Sequence, residues 1–191
     1  MRSSGNTPNR RSLSAVRLLV LLTGEDHPKA CTGRRLLRWG RVRPFSSADS
    51  HSADPVVLDP YAPTPLSRAD AETAQRGGLL VVDCSWNRLS ARGSFPAQDG
   101  PLRLGRIHRR LPVLVAANPQ HYGRITQLTT AEAFCGALAV LGRPAEATRV
   151  IAGFAGGNEF LEINRTRLDR YLQALGPDEI LAAERELFGG P

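Results

Sequence analysis

The residues best placed to do chemistry are Asp83-Cys84-Ser85-Trp86, which close a run of four apolar residues, Leu79-Leu80-Val81-Val82. An apolar run without alternation suits a central strand buried on both faces. The carboxyl end of such a strand is where open α/β sheets place their ligands. A carboxylate there can accept hydrogen bonds from a ribose or take a proton. An indole three residues on can cover a cationic sulfonium or a base. The same pair also fits a helix N-cap beside a core tryptophan. Cys84 has no histidine close in sequence to activate it and reads as a packed thiol.

A second candidate is Leu111 to Thr130, LPVLVAANPQHYGRITQLTT. Asn118-Pro119 ends the apolar stretch, Tyr122-Gly123-Arg124 makes a turn, and Thr129 or Thr130 opens a helix. Free backbone groups in such a loop can read an adenine edge, and a helix N-terminus favours a carboxylate. The segment is therefore either a cradle for a zwitterionic ligand or a plain strand-loop-helix. In the third candidate, His27-Pro28-Lys29-Ala30-Cys31-Thr32-Gly33, a hydroxyl before glycine at a helix start either touches a ligand or caps the helix. His27 and Cys31 are four apart, but His51, His108 and His121 complete no ligand pattern with them. Cys31, Cys84 and Cys135 form no CxxC, which argues against a zinc site or disulfide framework and for a reducing compartment. No metal is expected.

Positioning these residues requires an α/β fold with alternating strands and helices and a helical tail. Ser14–Leu22 and Val56–Leu58 read as strands, Cys31–Trp39 as a helix, and Ser67–Arg76 as a helix capped by Ser67 and stopped by Gly77-Gly78. Arg109–Asn118 reads as a second buried strand, after a Gly- and Pro-rich loop at Ser90–Gly105 that reads as mobile. Thr129-Thr130-Ala131-Glu132 is a capping box opening a helix to Leu141. Ala145–Ala155, Glu159–Leu175 and Asp178–Phe188 complete the tail. The expected organisation is a disordered basic tail over 1–14, an amino-terminal α/β unit over 15–76 and a carboxyl-terminal ligand-binding unit over 77–191.

The charge is distributed unevenly. Of the formal +7, all resides in the first fifty residues, where nine Arg and one Lys face three acids. That asymmetry favours a polyanionic partner. Arg88, Arg109, Arg110 and Arg124 belong to a cationic stretch beside the second apolar run, which suits an RNA backbone. No apolar run approaches the ~18 residues of a membrane span.

Taken together, HPKACTG, VVDCSWNRL, RRLPVLVAANPQHYG with LTTAEAF, and the tail FLEINRTRLDRYLQAL with EILAAERE resemble the small-subunit rRNA aminocarboxypropyltransferase family. The resemblance spans about Leu18 to Glu186. It implies a SPOUT-like parallel sheet with a knotted carboxyl-terminal region that binds S-adenosylmethionine, beneath a smaller amino-terminal α/β domain. It implies transfer of the 3-amino-3-carboxypropyl group to a uridine, methylpseudouridine in eukaryotes, with methylthioadenosine as by-product. The partner would be small-subunit pre-rRNA or a precursor subunit, met by a cytoplasmic monomer. By position, Thr32 would contact the ribose, Leu80 and Leu111 would border the adenosine, and Asp83 would lie near the ribose and reacting end. Trp86 would pocket the sulfonium methyl, Thr126 would read adenine through its backbone, and Thr130 would hold the methionine part. Asp83 is the candidate base or proton relay, or else only positions the ribose. A segment that is basic and aromatic in the family stands here as Phe154-Ala155-Gly156-Gly157. Two other readings fit the same residues: a SPOUT-type rRNA methyltransferase and a non-catalytic ribosome assembly factor.

Overall fold

The computed structural model describes residues 14–24, 31–46, 49, 54–86, 89, 91 and 106–189. Residues 1–13 of the expected tail, His27 to Ala30, Arg88 and nearly all of the Ser90–Gly105 loop lie outside them. Among the described residues five strands form one parallel sheet: β1 (Leu18–Leu22), β2 (Arg43–Pro44), β3 (Val56–Leu58), β4 (Leu79–Asp83) and β5 (Ile107–Arg109). Their order is β2-β1-β4-β3-β5. β4 thus inserts between β1 and β3, so one sheet joins strands from both sides of residue 77. The central position matches its sequence, since all five β4 residues are buried. Register pairs Leu22 with Asp83 and Leu58 with both Val81 and Arg109, which brings the carboxyl ends of the inner strands to one edge.

Side chains alternate along each strand. Val20, Val56, Leu58, Leu79 and Val81 face the larger core, and Leu19, Val57, Leu80 and Val82 face a smaller one with Phe45 and Leu89. The larger core is roofed by helices. These are α1 (Thr32–Arg38), α2 (Ala71–Gly77, entered through a 3-10 turn at Arg68–Asp70), α3 (Thr130–Val140), α4 (Pro144–Ile151), α5 (Gly157–Ile163), α6 (Arg165–Gln173) and α7 (Pro177–Phe188). α3 is buried almost all round and packs on β4, α1, α4 and α6. Its small residues permit this: a Cβ on Gly136 would stand 2.6 Å from a Leu114 methyl. Truncating a core leucine such as Leu138 to Ala would cost about 2–5 kcal/mol.

The structure departs from the expected elements in two informative places. Arg109–Asn118 is not a second buried strand: β5 ends at Arg109, and the following apolar residues carry no ladder beyond isolated bridges at Arg110 and Val115. Buried backbone groups must still find partners, and here helices and a hairpin supply them. Val113 N–H donates to Glu184 (3.0 Å) and the Tyr171 hydroxyl donates to Val113 O (3.0 Å). The Asn164 side chain accepts from Val115 N–H (2.9 Å) and donates to Val115 O (2.8 Å). Ala116 pairs with Gly123 and Arg124. The second departure is Glu159–Leu175, which is two helices meeting at Asn164. That residue is fully buried, because its amide serves Val115 and also donates to Phe160 O (2.9 Å).

Candidate functional site

A cavity of about 660 Å³ opens at the carboxyl ends of β3 and β4. Its walls are the strand ends (Leu58, Asp59, Val81 to Asp83), the segment Cys84 to Trp86, the first residue of α1, Arg110 to Val113, and the loop that leads into α3. Of the residues expected to hold a ligand, Thr32, Asp83, Trp86, Leu111, Thr126 and Thr130 all line it. Leu80 does not. It lies deeper along β4, fully buried in the smaller core, and its neighbours Val81 and Val82 reach the cavity instead.

Asp83 is 7% exposed. Its Oδ2 accepts from Gly33 N–H (2.8 Å) and from the Cys31 thiol (3.3 Å). Gly33 lies in the first turn of α1, so the carboxylate meets unpaired amides at the positive end of a helix. The approach is so close that a Cβ on Gly33 would fall 2.0 Å from Oδ2. Asp83 therefore behaves as a cap supplied from a neighbouring strand, and it fixes Thr32 beside it. Burial pushes the Cys31 thiol up to about 11, with the Asp83 charge adding to the effect. Trp86 is held from its other side, its indole N–H donating to Leu128 O (2.9 Å). Cys84 is half-buried in the cavity wall and packs against the smaller core.

The opposite wall is organised by Glu132, only 3% exposed. It completes the expected capping box, its carboxylate accepting from Thr129 N–H (2.8 Å) and Thr129 Oγ1 accepting from Glu132 N–H (3.3 Å). The same carboxylate accepts from Ala117 N–H (2.8 Å), Asn118 N–H (2.9 Å) and the Asn118 amide (2.8 Å). One side chain thus joins the start of α3 to the turn at Asn118-Pro119. Between them Thr126 has φ +64°, the only non-glycine residue with positive φ among those described. For a β-branched residue that conformation costs about 1–3 kcal/mol, and such strain collects at ligand sites.

Asp59 was not singled out from the sequence, although an acid after the apolar Val56–Leu58 repeats the signal that marked Asp83. It is 3% exposed, lines the cavity, and pairs with His108 Nδ1 (2.8 Å) and Tyr61 N–H (2.9 Å). Gln120 and His121 also reach the cavity from the turn.

Of the four arginines expected at an RNA face, Arg109, Arg110 and Arg124 are described, and the first two are paired within the fold. Arg109 is tied to Asp70 (2.9 Å), and Arg110 forms a two-pronged pair with Glu184 (2.7 Å for each contact) while lining the cavity. Both carboxylates lie far away in sequence and belong to the fold. Arg124 is exposed and Arg88 lies outside the described residues. No group of three metal-ligating side chains occurs among the described residues.

Comparison with known proteins identifies the family. A family model described as "Ribosome biogenesis protein, C-terminal" matches residues 56–188. The 16S rRNA aminocarboxypropyltransferase of Methanopyrus kandleri is 40% identical over 171 residues, 90% of this chain and 98% of the relative. The 18S rRNA aminocarboxypropyltransferase of Schizosaccharomyces pombe is 36% identical over 93% of this chain and 59% of its own. The solved structure of the SAM-dependent rRNA:acp-transferase from Vulcanisaeta distributa superposes with a TM-score of 0.77 at 34% identity, covering 91% of this chain and 89% of that one. With a parallel sheet, a cavity at its strand ends and this likeness along nearly its whole length, the chain belongs to the small-subunit rRNA aminocarboxypropyltransferase family.

Proposed function

We infer that the chain transfers the 3-amino-3-carboxypropyl group of S-adenosylmethionine to a uridine or methylpseudouridine of small-subunit rRNA. The observation that carries this reading is convergence: six residues expected from separate segments line one cavity, of a size ordinary for a small-molecule site.

The residues present fit that ligand. A zwitterionic sulfonium needs anionic or aromatic surface at one end and amide donors at the other. Asp59, Asp83 and Trp86 supply the first. Thr129 and Thr130, at the start of an eleven-residue helix, supply the second. Thr126 lines the adenine side of the cavity in its strained conformation, its N–H donating to Leu114 O (2.9 Å) and its carbonyl accepting from Leu128 N–H (2.8 Å). When bound, the sulfonium supplies three electrophilic carbons, of which the side-chain methylene is the one transferred. This chain's residues select it by orientation. Trp86, fixed by Leu128 O, covers the methyl. Asp83 acts as a positioning residue: its carboxylate holds α1 and keeps Thr32 at the ribose end. The uridine nitrogen loses its proton to solvent, gains a bond to carbon, and the carbon–sulfur bond breaks to leave methylthioadenosine.

The finer expectations belong to the same proposal. They are a knotted carboxyl-terminal region, a functional division near residue 77, and a monomer that meets small-subunit pre-rRNA or a precursor subunit in the cytoplasm. No helix among the described residues is long and apolar enough to cross a membrane. The test is to incubate the protein with S-adenosylmethionine and unmodified small-subunit rRNA and identify the by-product. Methylthioadenosine is expected. Adenosylhomocysteine would overturn the choice of group in favour of methyl transfer, and no cofactor binding in calorimetry would leave only an assembly role.

A further inference from the structure

α7 packs inward through Ile180, Ala183 and Leu187, and the same helical stripe carries one acid, Glu184. An acid on the inward side of a helix is costly unless a cation and hydrogen bonds meet it. Here both do. Arg110 Nη1 donates to Oε1 and Nη2 to Oε2, each at 2.7 Å, and Val113 N–H donates to Oε1 (3.0 Å). The two side chains are 23% and 11% exposed, arginine first, so solvent screens the pair poorly. The hydrogen bond from Glu184 raises the Arg110 guanidinium above its ordinary value, which keeps it charged. Arg110 is also the only arginine or lysine among the described residues that line the cavity, where the carboxylates are Asp59 and Asp83. Left alone, that guanidinium would suit an anionic ligand and repel a cationic one. S-adenosylmethionine, with a sulfonium, an ammonium and a carboxylate, is cationic overall. Methylthioadenosine, which shares its adenosine, is neutral.

We propose that Glu184 is a positioning residue for the cofactor: acting through Arg110, it cancels the one basic charge in the cavity wall and ties that guanidinium to α7, so that the cavity accepts a sulfonium. Group transfer turns a cationic ligand into a neutral one. The charge of this wall therefore acts on S-adenosylmethionine and not on the by-product. At an effective dielectric near 20, one unit charge about 10 Å from the ligand changes affinity roughly tenfold. This role rests on S-adenosylmethionine being the ligand, and it names what sets the charge of its site.

The test measures both ligands, S-adenosylmethionine and methylthioadenosine, by calorimetry on the full chain at low ionic strength. Glu184→Gln keeps an oxygen for Val113 N–H and removes the charge. S-adenosylmethionine affinity should fall roughly tenfold while methylthioadenosine affinity stays within about twofold. Arg110→Gln leaves the carboxylate unopposed and should move the ratio of the two affinities the other way. Arg110→Gln/Glu184→Gln removes both charges and should bring the ratio back to within about twofold of wild type. A purely structural role would weaken both ligands alike, so an equal loss in Glu184→Gln would overturn the assignment, as would an unmoved ratio. Tighter S-adenosylmethionine binding in Glu184→Gln would also overturn it, by showing that Arg110 meets the cofactor's carboxylate. If Glu184→Gln does not fold, the opposite shift in Arg110→Gln and its reversal in the double variant decide. Absence of S-adenosylmethionine binding by the wild type would sink the transferase reading itself. Wild-type binding with a ratio that none of the variants moves would sink only the role of Glu184.

Discussion

Replacing Gly33 by alanine tests the join between α1 and β4. Alanine is the better helix former by about 1 kcal/mol, so on propensity alone the change should stabilise. The structure predicts the reverse, because the new Cβ would stand 2.0 Å from Asp83 Oδ2 and 3.0 Å from a Leu22 methyl. The carboxylate must withdraw from Gly33 N–H and Cys31, losing hydrogen bonds to a charged, buried group worth about 1.5–3 kcal/mol. The net cost is about 0.5–2 kcal/mol, which for a chain of this size lowers Tm by roughly 1–8 °C. S-adenosylmethionine affinity should fall about tenfold for each 1.4 kcal/mol of displaced contact, since Thr32 and Asp83 both move. The decisive assay is a double-mutant cycle with Asp83→Ala, by calorimetric or urea unfolding. With the carboxylate gone, Gly33→Ala should be neutral or stabilising by up to about 1 kcal/mol. An equal cost for Gly33→Ala in both backgrounds would refute the reasoning.

Glu132→Gln should destabilise by about 3 kcal/mol in urea unfolding, because an amide nitrogen would face donors where a carboxylate now accepts from Ala117, Asn118 and Thr129. Unchanged stability would remove Glu132 from its organising role. Thr126→Gly relieves the positive φ and should raise stability by about 0.5–1 kcal/mol while weakening cofactor binding several-fold in calorimetry; a drop in Tm would count against strain at this position. Burial pushes Cys31 up to about 11 and Cys135 up to about 12, the latter helped by Glu132. Both thiols hold their protons more tightly when folded, so above pH 9 the unfolded chain has released protons that the native chain keeps, and stability falls as pH rises. The contribution is absent at pH 7 and about 1 kcal/mol per cysteine at pH 10. Cys135→Ala should flatten the fall between pH 7 and 10 by that amount, and an unaltered fall would show that the buried thiol does not contribute.

Much of the site was legible because its signals are local. An unbroken apolar run ending in an acid marks a central strand end, and both halves of the expectation hold at Leu79–Asp83. Thr129 and Glu132, three apart, form the box that their spacing requires. Asp59 carries the same kind of signal as Asp83, but on a run of three residues, too short to stand out. Distance along the chain hid the rest. Arg109 and Arg110 look like free cations beside a basic loop until Asp70 and Glu184, 39 and 74 residues away, take them up.

The sequence by itself determined the fold class, the central strand, the capped helix and, through its motifs, the family. Each depends on hydrophobic period or on groups within a few residues, where chain connectivity already guarantees contact. Only the tertiary structure decided how the segment after β5 is held. Its residues are apolar enough for a strand, yet their amides and carbonyls are met by Glu184, Tyr171, Asn164 and Glu132 from the helical tail. It also decided that Asp83 is a clamp on α1, because the 2.8 Å bond to Gly33 joins residues fifty apart. Buried polar groups must find partners, but local pattern does not say which; that follows from packing, which brings distant carboxylates and amides within bonding reach.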